Sequence, residues 1–121
     1  MDLIEKLKNR ARAHPQRIVL SEGEDRRAIA AAARVTAEGY AKVTLLGRQK
    51  LIEAAAAELG ASLAGITLLD PAASAKLESY AQIYFERRRA RGVRQDEART
   101  IAAKPHYFAA LMVAAGDADG S

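Results

Sequence analysis

The chain contains no cysteine. That excludes a disulfide framework and any chemistry that needs a thiolate of its own. Aromatic residues make up only 5 % of the 121 residues, while half are apolar and many of those are alanine. Such a composition suits thin helices packed close on a sheet rather than a core of large interlocking side chains. No apolar run approaches the length of a bilayer crossing, and the N-terminus has no hydrophobic leader segment, so a cytoplasmic chain with no membrane partner is expected. Internal repeats and low-complexity linkers are also missing, and no second domain is expected within these residues. There is no glycine-rich dinucleotide fingerprint and no P-loop. A formal charge of +4 favours anionic partners, but no helix-turn-helix, zinc or RNP-type signature accompanies the arginines, and nucleic acid is not expected to be a partner.

What is present alternates. Residues 2–13 read as a short amphipathic helix with Leu3, Ile4 and Leu7 on one side, stopped before Pro15. Residues 17–20 (RIVL), 42–46 (KVTLL) and 65–69 (GITLL) read as short buried strands. Between them lie two helices. Residues 26–38 carry Ile29, Ala32, Ala33 and Thr36 inward, and residues 48–59 carry Leu51, Ile52, Ala55 and Leu59 inward. Asp25 is placed to cap the first of these, and Gly23 to allow a sharp change of direction. Short strands separated by helices imply right-handed crossovers and a three-layer αβα fold with a mainly parallel sheet. After Asp70-Pro71 the alternation gives way to helices over 74–91, 96–103 and 105–115, the last opening on Pro105, with Phe108, Leu111, Met112 and Ala115 inward. Three strands with one outer edge bare make a poor domain, so an incomplete domain that self-associates is expected.

The stretch Tyr80–Gly92 (YAQIYFERRRARG) stands out. Leu77, Ala81, Tyr84 and Arg88 share one helical face, apolar for two turns and then ending in a guanidinium. Arg87, Arg89 and Arg91 surround it, and Gly92 stops the helix. Arginines in a last turn suit the helix dipole without any function. Arg88, which continues the inner stripe, has two open readings: it snorkels off the core, or it points into a cleft at an anion. Ser21-Glu22-Gly23 follows a strand at its carboxyl end, where open α/β sheets bind ligands, though spacing alone favours a plain turn with a helix cap. His14 and His106 have no sequence partner and read as surface or capping residues. Asp117 and Asp119 are too few for a metal site, and no metal is expected.

In order along the chain, Arg17-Ile-Val-Leu-Ser-Glu-Gly-Glu-Asp-Arg-Arg27, Val43-Thr-Leu-Leu-Gly47, Glu86-Arg-Arg-Arg-Ala-Arg-Gly92 and Asp119-Gly120 resemble the phosphate acetyltransferase and butyryltransferase family. That family reads IVLPE(G/S)xDxR, (A/G)xxxLIG, ELRxxKG and GxADGxVSG in the same order. The collinear match covers essentially the whole chain and is more specific than any one motif. Two departures matter. Ser21 replaces the usual proline, leaving that turn less rigid, and Arg94 replaces threonine at a helix cap. A cap lost in this way costs about 1 kcal/mol.

The resemblance implies an isocitrate/isopropylmalate dehydrogenase-like fold, with residues 1–121 forming the N-terminal part of the family's domain I and the remainder absent. It implies exchange of phosphate and coenzyme A on an acetyl group, in the cytoplasm, by a homo-oligomer. No cofactor is implied, because coenzyme A is itself a substrate. Arg88 falls on the family's substrate arginine, as catalytic and substrate-binding residue; Ser21, Glu22 and Gly23, at the strand's carboxyl end, are the other substrate-binding candidates. One alternative is an acyl-CoA-sensing regulatory domain, as in the C-terminal part of some malic enzymes. Others are a phosphate butyryltransferase and a folding unit without activity.

Overall fold

The computed structural model describes residues 2–121. The first helix, α1 (Leu3–Ala13), is capped by Asp2, whose carboxylate accepts from the Glu5 amide at 2.8 Å. It buries none of its residues: Leu3 is 71 % exposed and Ile4 65 %. Arg12 fastens it instead, donating to the Glu38 carbonyl and the Tyr40 hydroxyl at 3.0 Å each. The chain continues through β1 (Gln16–Leu20), α2 (Arg26–Ala37), β2 (Ala41–Leu46), α3 (Gln49–Leu59) and β3 (Thr67–Leu69). The three strands are parallel, in the order β1-β2-β3, with Ile18 opposite Val43 and Leu45 opposite Leu68.

The predicted three-layer αβα arrangement is what forms. On one face of the sheet α2 and α3 contribute Ile29, Ala32, Ile52 and Ala56 to a cluster with Val43 and Leu45. On the other face α4 (Leu77–Arg88), α5 (Gln95–Ala102) and α6 (Pro105–Ala114) pack Leu77, Tyr80, Ala102, Phe108 and Met112 against Val19 and Leu46. Leu45 and Leu46 thus serve opposite layers, as successive residues of a strand must. Local signals act as read. Asp25 caps α2 by accepting from the Arg27 amide at 2.8 Å, Pro105 opens α6, and Gly92 adopts φ 88°.

Three expectations need correction. The long helix expected over 74–91 runs only from Leu77 to Arg88, whose φ of −119° departs from the regular α-helical value, and Arg89–Arg91 form a separate 3₁₀ turn. The last carbonyls of a helix lack partners in the α-ladder, and the tighter turn supplies one: the Gly92 amide donates to the Arg89 carbonyl at 3.0 Å. In α3 the inner stripe is Ile52 and Ala56, while Leu51 and Leu59 are 44 % and 41 % exposed. Leu51 lies about 100° around the helix from Ile52, whereas Leu59 shares the face of Ile52 but is the last residue of α3. Ala115 lies beyond the end of α6 and is exposed; Ala109 takes its place in the core.

The last residues lie along the outer side of β1. The Asp119 amide donates to the Arg17 carbonyl at 2.7 Å, and the Val19 amide donates to the Gly120 carbonyl at 3.0 Å. A parallel bridge joins Ile18 and Gly120. No helix among the described residues is long and apolar enough to cross a membrane.

Candidate functional site

At the carboxyl ends of the strands a cleft of about 660 Å³ opens. The turn Ser21–Asp25, after β1, forms one side; Gly47 and Arg48, after β2, and Asp70-Pro71, after β3, form the floor; Ala103 and Pro105 close the far side. This is where a parallel α/β sheet puts ligands, because the strand-to-helix turns converge there. The turn is seated on β2 by the Gly23 amide, which donates to the Leu46 carbonyl at 3.0 Å.

Gly23 is buried, yet its backbone is not in the left-handed region. The expected need for a sharp change of direction is therefore not what requires glycine. Space is: a Cβ there would lie 2.4 Å from the Leu46 carbonyl oxygen and 2.8 Å from its nitrogen.

Most charges lining the cleft are already engaged. The Glu24 carboxylate takes the Arg48 guanidinium in a fork, at 2.9 and 3.0 Å, and also the Arg48 backbone amide at 2.8 Å. Those bonds from Arg48, side chain first and then backbone, pull the Glu24 carboxyl down to about 2. Asp25 is lowered by the Arg27 amide that it caps and by the Arg27 side chain at 3.5 Å. Asp70 accepts from the Ala72 amide at 3.1 Å. Glu22 is exposed and its side chain forms no ion pair among the described residues. The cleft therefore offers polar backbone and hydroxyl groups but no unengaged cation on its floor.

Because the folded state favours ionised Glu24, its contribution to stability is fully present above the unfolded value of 4.5. It is lost as the pH falls toward about 2. Replacing Glu24 by glutamine is expected to lower the melting temperature at neutral pH and to flatten the decline over that acid window. Circular dichroism melts from neutral pH down to the acid limit check this; an unchanged acid decline in the variant would show that the fork contributes nothing.

Arg88 lies elsewhere. It is not among the cleft-lining residues; it is exposed, with its guanidinium carbon 5.9 Å from the centre of the Tyr84 ring. Tyr84 in turn meets Tyr107 edge-on at 5.9 Å. The neighbouring residue, His106, brings its Nδ1 within 2.9 Å of the Ser21 hydroxyl. Contacts through the first turn of α6 thus connect the two stretches that sequence reasoning singled out, 67 positions apart. His106 itself was passed over, because its partner lies 85 residues away and no spacing rule reaches that far.

Asp117 and Asp119 are both engaged. Asp117 accepts from the Tyr80 hydroxyl, and burial, reinforced by that bond, raises the Tyr80 phenol. Asp119 accepts from the Arg17 guanidinium at 3.0 and 3.2 Å and from its amide at 2.8 Å, which holds its carboxyl below the usual range. These ties tether the end of the chain to β1 and α4. Among the described residues no cluster of acidic or histidine side chains is arranged to hold a metal ion.

Comparison with known proteins bears on this geometry. A family model described as "Phosphate acetyl/butaryl transferase" matches residues 2–121. The phosphate acetyltransferase of Corynebacterium glutamicum is 40 % identical over 114 residues, covering 94 % of this chain and 35 % of the relative. That of Acetivibrio thermocellus is 37 % identical over 120 residues, covering 99 % and 36 %. Among solved structures, the EutD phosphotransacetylase from Staphylococcus aureus superposes with a TM-score of 0.87 at 31 % identity, over 97 % of this chain and 35 % of that one. A phosphotransacetylase from Streptococcus pyogenes gives 0.89 at 25 % identity. The chain spans 36 % of the length of the Acetivibrio relative. With the match running through every element from α1 to the Asp119–Gly120 end, the chain belongs to the phosphate acetyl- and butyryltransferase family.

Proposed function

We propose that the protein carrying this chain exchanges phosphate and coenzyme A on an acetyl group, and that the chain supplies one wall of the substrate cleft. The observation that carries this reading is the family match over residues 2–121. The position of the Ser21–Gly23 turn at the carboxyl ends of the strands supports it.

In the proposed reaction the coenzyme A thiolate adds to the acetyl carbon of acetyl phosphate. The carbonyl oxygen becomes an oxyanion, and the bond from carbon to the phosphoryl oxygen then breaks, releasing phosphate. The reverse direction makes acetyl phosphate. Two demands follow: an anionic phosphoryl group must be held, and the oxyanion must be stabilised. Arg88 is the proposed catalytic and substrate-binding residue. A guanidinium stays charged and can take two oxygens at once, and no acidic partner holds it among the described residues. Ser21 and the backbone around Gly23 are the proposed polar contacts on the cleft side. Glu22, a free carboxylate, suits the N–H groups of the coenzyme A arm rather than phosphate. The reaction takes place between substrates alone, without cofactor or metal, in a cytoplasmic homo-oligomer.

As one wall of a cleft, the purified 121-residue chain is expected to bind without turning over. Phosphate-dependent consumption of acetyl-CoA above a buffer control would overturn the one-wall reading. Titrating acetyl phosphate and coenzyme A into isotopically labelled chain should shift amide resonances of Ser21–Asp25 and of Arg88–Gly92. Shifts confined to other surfaces, or none at millimolar ligand, would overturn the proposed site.

A further inference from the structure

By the family resemblance, Ser21 stands where the pattern has proline. A proline ring restrains a turn from within by locking its own φ, whereas serine leaves that torsion free. In this chain the Ser21 hydroxyl reaches across to His106 Nδ1 at 2.9 Å. His106 is exposed but stands on firm ground, since Phe108 and Ala109, two and three residues on, are buried in the core. Tyr107, between them, is braced edge-on against Tyr84. A side chain on a well-anchored helix start therefore holds a turn that lacks its usual internal restraint.

We propose that His106 is a positioning residue for the cleft: its bond to Ser21 pins the Ser21–Glu22–Gly23 turn in place of the proline ring. The proposal rests on the reading that this turn faces substrate. It also assigns the polarity of the cleft's hydroxyl. When Nδ1 carries the proton it donates to Ser21 Oγ, and the serine O–H is free to donate to a phosphoryl oxygen. When Nδ1 is bare, the hydroxyl proton is spent on the imidazole and only lone pairs face the cleft. An acyl phosphate therefore selects the Nδ1-protonated form of His106, and Ser21 becomes a donor at the moment the anion arrives.

The test uses the 121-residue chain and two readouts. The first needs no ligand. Amide exchange at Gly23, which reports seating of the turn on Leu46, should quicken about tenfold in His106→Ala and in Ser21→Ala, the worth of one hydrogen bond. It should stay near the parent rate in His106→Asn, whose side-chain amide can place either Oδ1 or the donating Nδ2 close to the position of Nδ1, and not in His106→Gln. In a Ser21→Pro background, His106→Ala should change nothing. Unaltered exchange in His106→Ala, or equal quickening with proline at 21, overturns the proposal. So does a general loss of melting temperature that quickens exchange across the whole sheet, which would make His106 merely structural. The second readout is acetyl phosphate affinity, expected to fall about five- to tenfold in His106→Ala and to return in His106→Asn. Acetyl phosphate that binds neither parent nor variants overturns the substrate reading of the cleft, while the exchange data still decide what His106 does to the turn.

Discussion

Replacing Arg88 by alanine is expected to lower kcat/KM for acetyl phosphate and coenzyme A by about 10²- to 10³-fold, as loss of one oxyanion donor does. The assay belongs to the transferase at the length of its relatives, where the proposed reaction is complete. Lysine should recover only part of the loss, because an ammonium cannot present a fork to two oxygens. Folding should be nearly untouched: the side chain is exposed, and its one ring contact, 5.9 Å from Tyr84, is long. The neighbours are internal controls. Arg87 is rotated by about 100° around the helix. Arg89 has already left α4 for the 3₁₀ turn and pairs with Glu86 at 3.6 Å. Alanine at either should change kcat/KM by less than about threefold, the scale of a screened surface charge. Steady-state kinetics with parallel thermal melts decide it. Equal losses at all three positions would leave only a diffuse basic patch at the end of α4.

Replacing Gly23 by alanine is expected to cost about 3 kcal/mol of stability, at the upper end of what overpacking does. The added methyl would sit 2.4 Å from the Leu46 carbonyl oxygen and 3.0 Å from Leu45 Cβ. Both neighbours belong to the central strand, so neither can swing aside as a flexible side chain would. The turn must lift, and the bond from the Gly23 amide to Leu46 at 3.0 Å is then lost as well. Gly60→Ala provides the contrast. That residue closes α3 at φ 66° with nothing within 4 Å of a new Cβ. Its cost is conformational only, about 1 kcal/mol. Urea denaturation of both variants separates the two causes. Equal midpoints would mean that Gly23 is not packed as described.

The difference between these glycines shows how far spacing can be read. Gly60 and Gly92 follow helices, and their left-handed backbones are what a glycine after a periodic segment foretells. Gly23 was read by the same logic as a bend, but it is a point of close approach between β2 and the turn that follows β1. A close approach between residues 23 positions apart leaves no trace in local periodicity. Arg88 divides in the same way. Its place on the Leu77–Ala81–Tyr84 face follows from helix geometry, and the Glu86–Gly92 motif singles it out independently. That α4 ends at Arg88, and that the guanidinium lies over Tyr84 outside the cleft, follows from packing beyond the helix.

The sequence by itself determined whatever depends on neighbours within about one helical turn. Asp25 and Pro105 start helices, Gly92 ends a turn, and the alternating strands and helices commit the chain to a parallel sheet covered on both faces. Its ordered motifs also carried the family. Tertiary structure alone decided which side chains meet at the carboxyl end of that sheet: Glu24 with Arg48, Ser21 with His106, and Asp119 with Arg17 at the sheet's other end. It also decided that Leu51 and Leu59 face water while Ile52 and Ala56 face α2 and the sheet. The physical reason is range. Capping, propensity and periodicity act over a few bonds and are written in the local order of residues. Ion pairs and hydrogen bonds across 24, 85 or 102 positions exist only after apolar burial has set the layers at fixed distances.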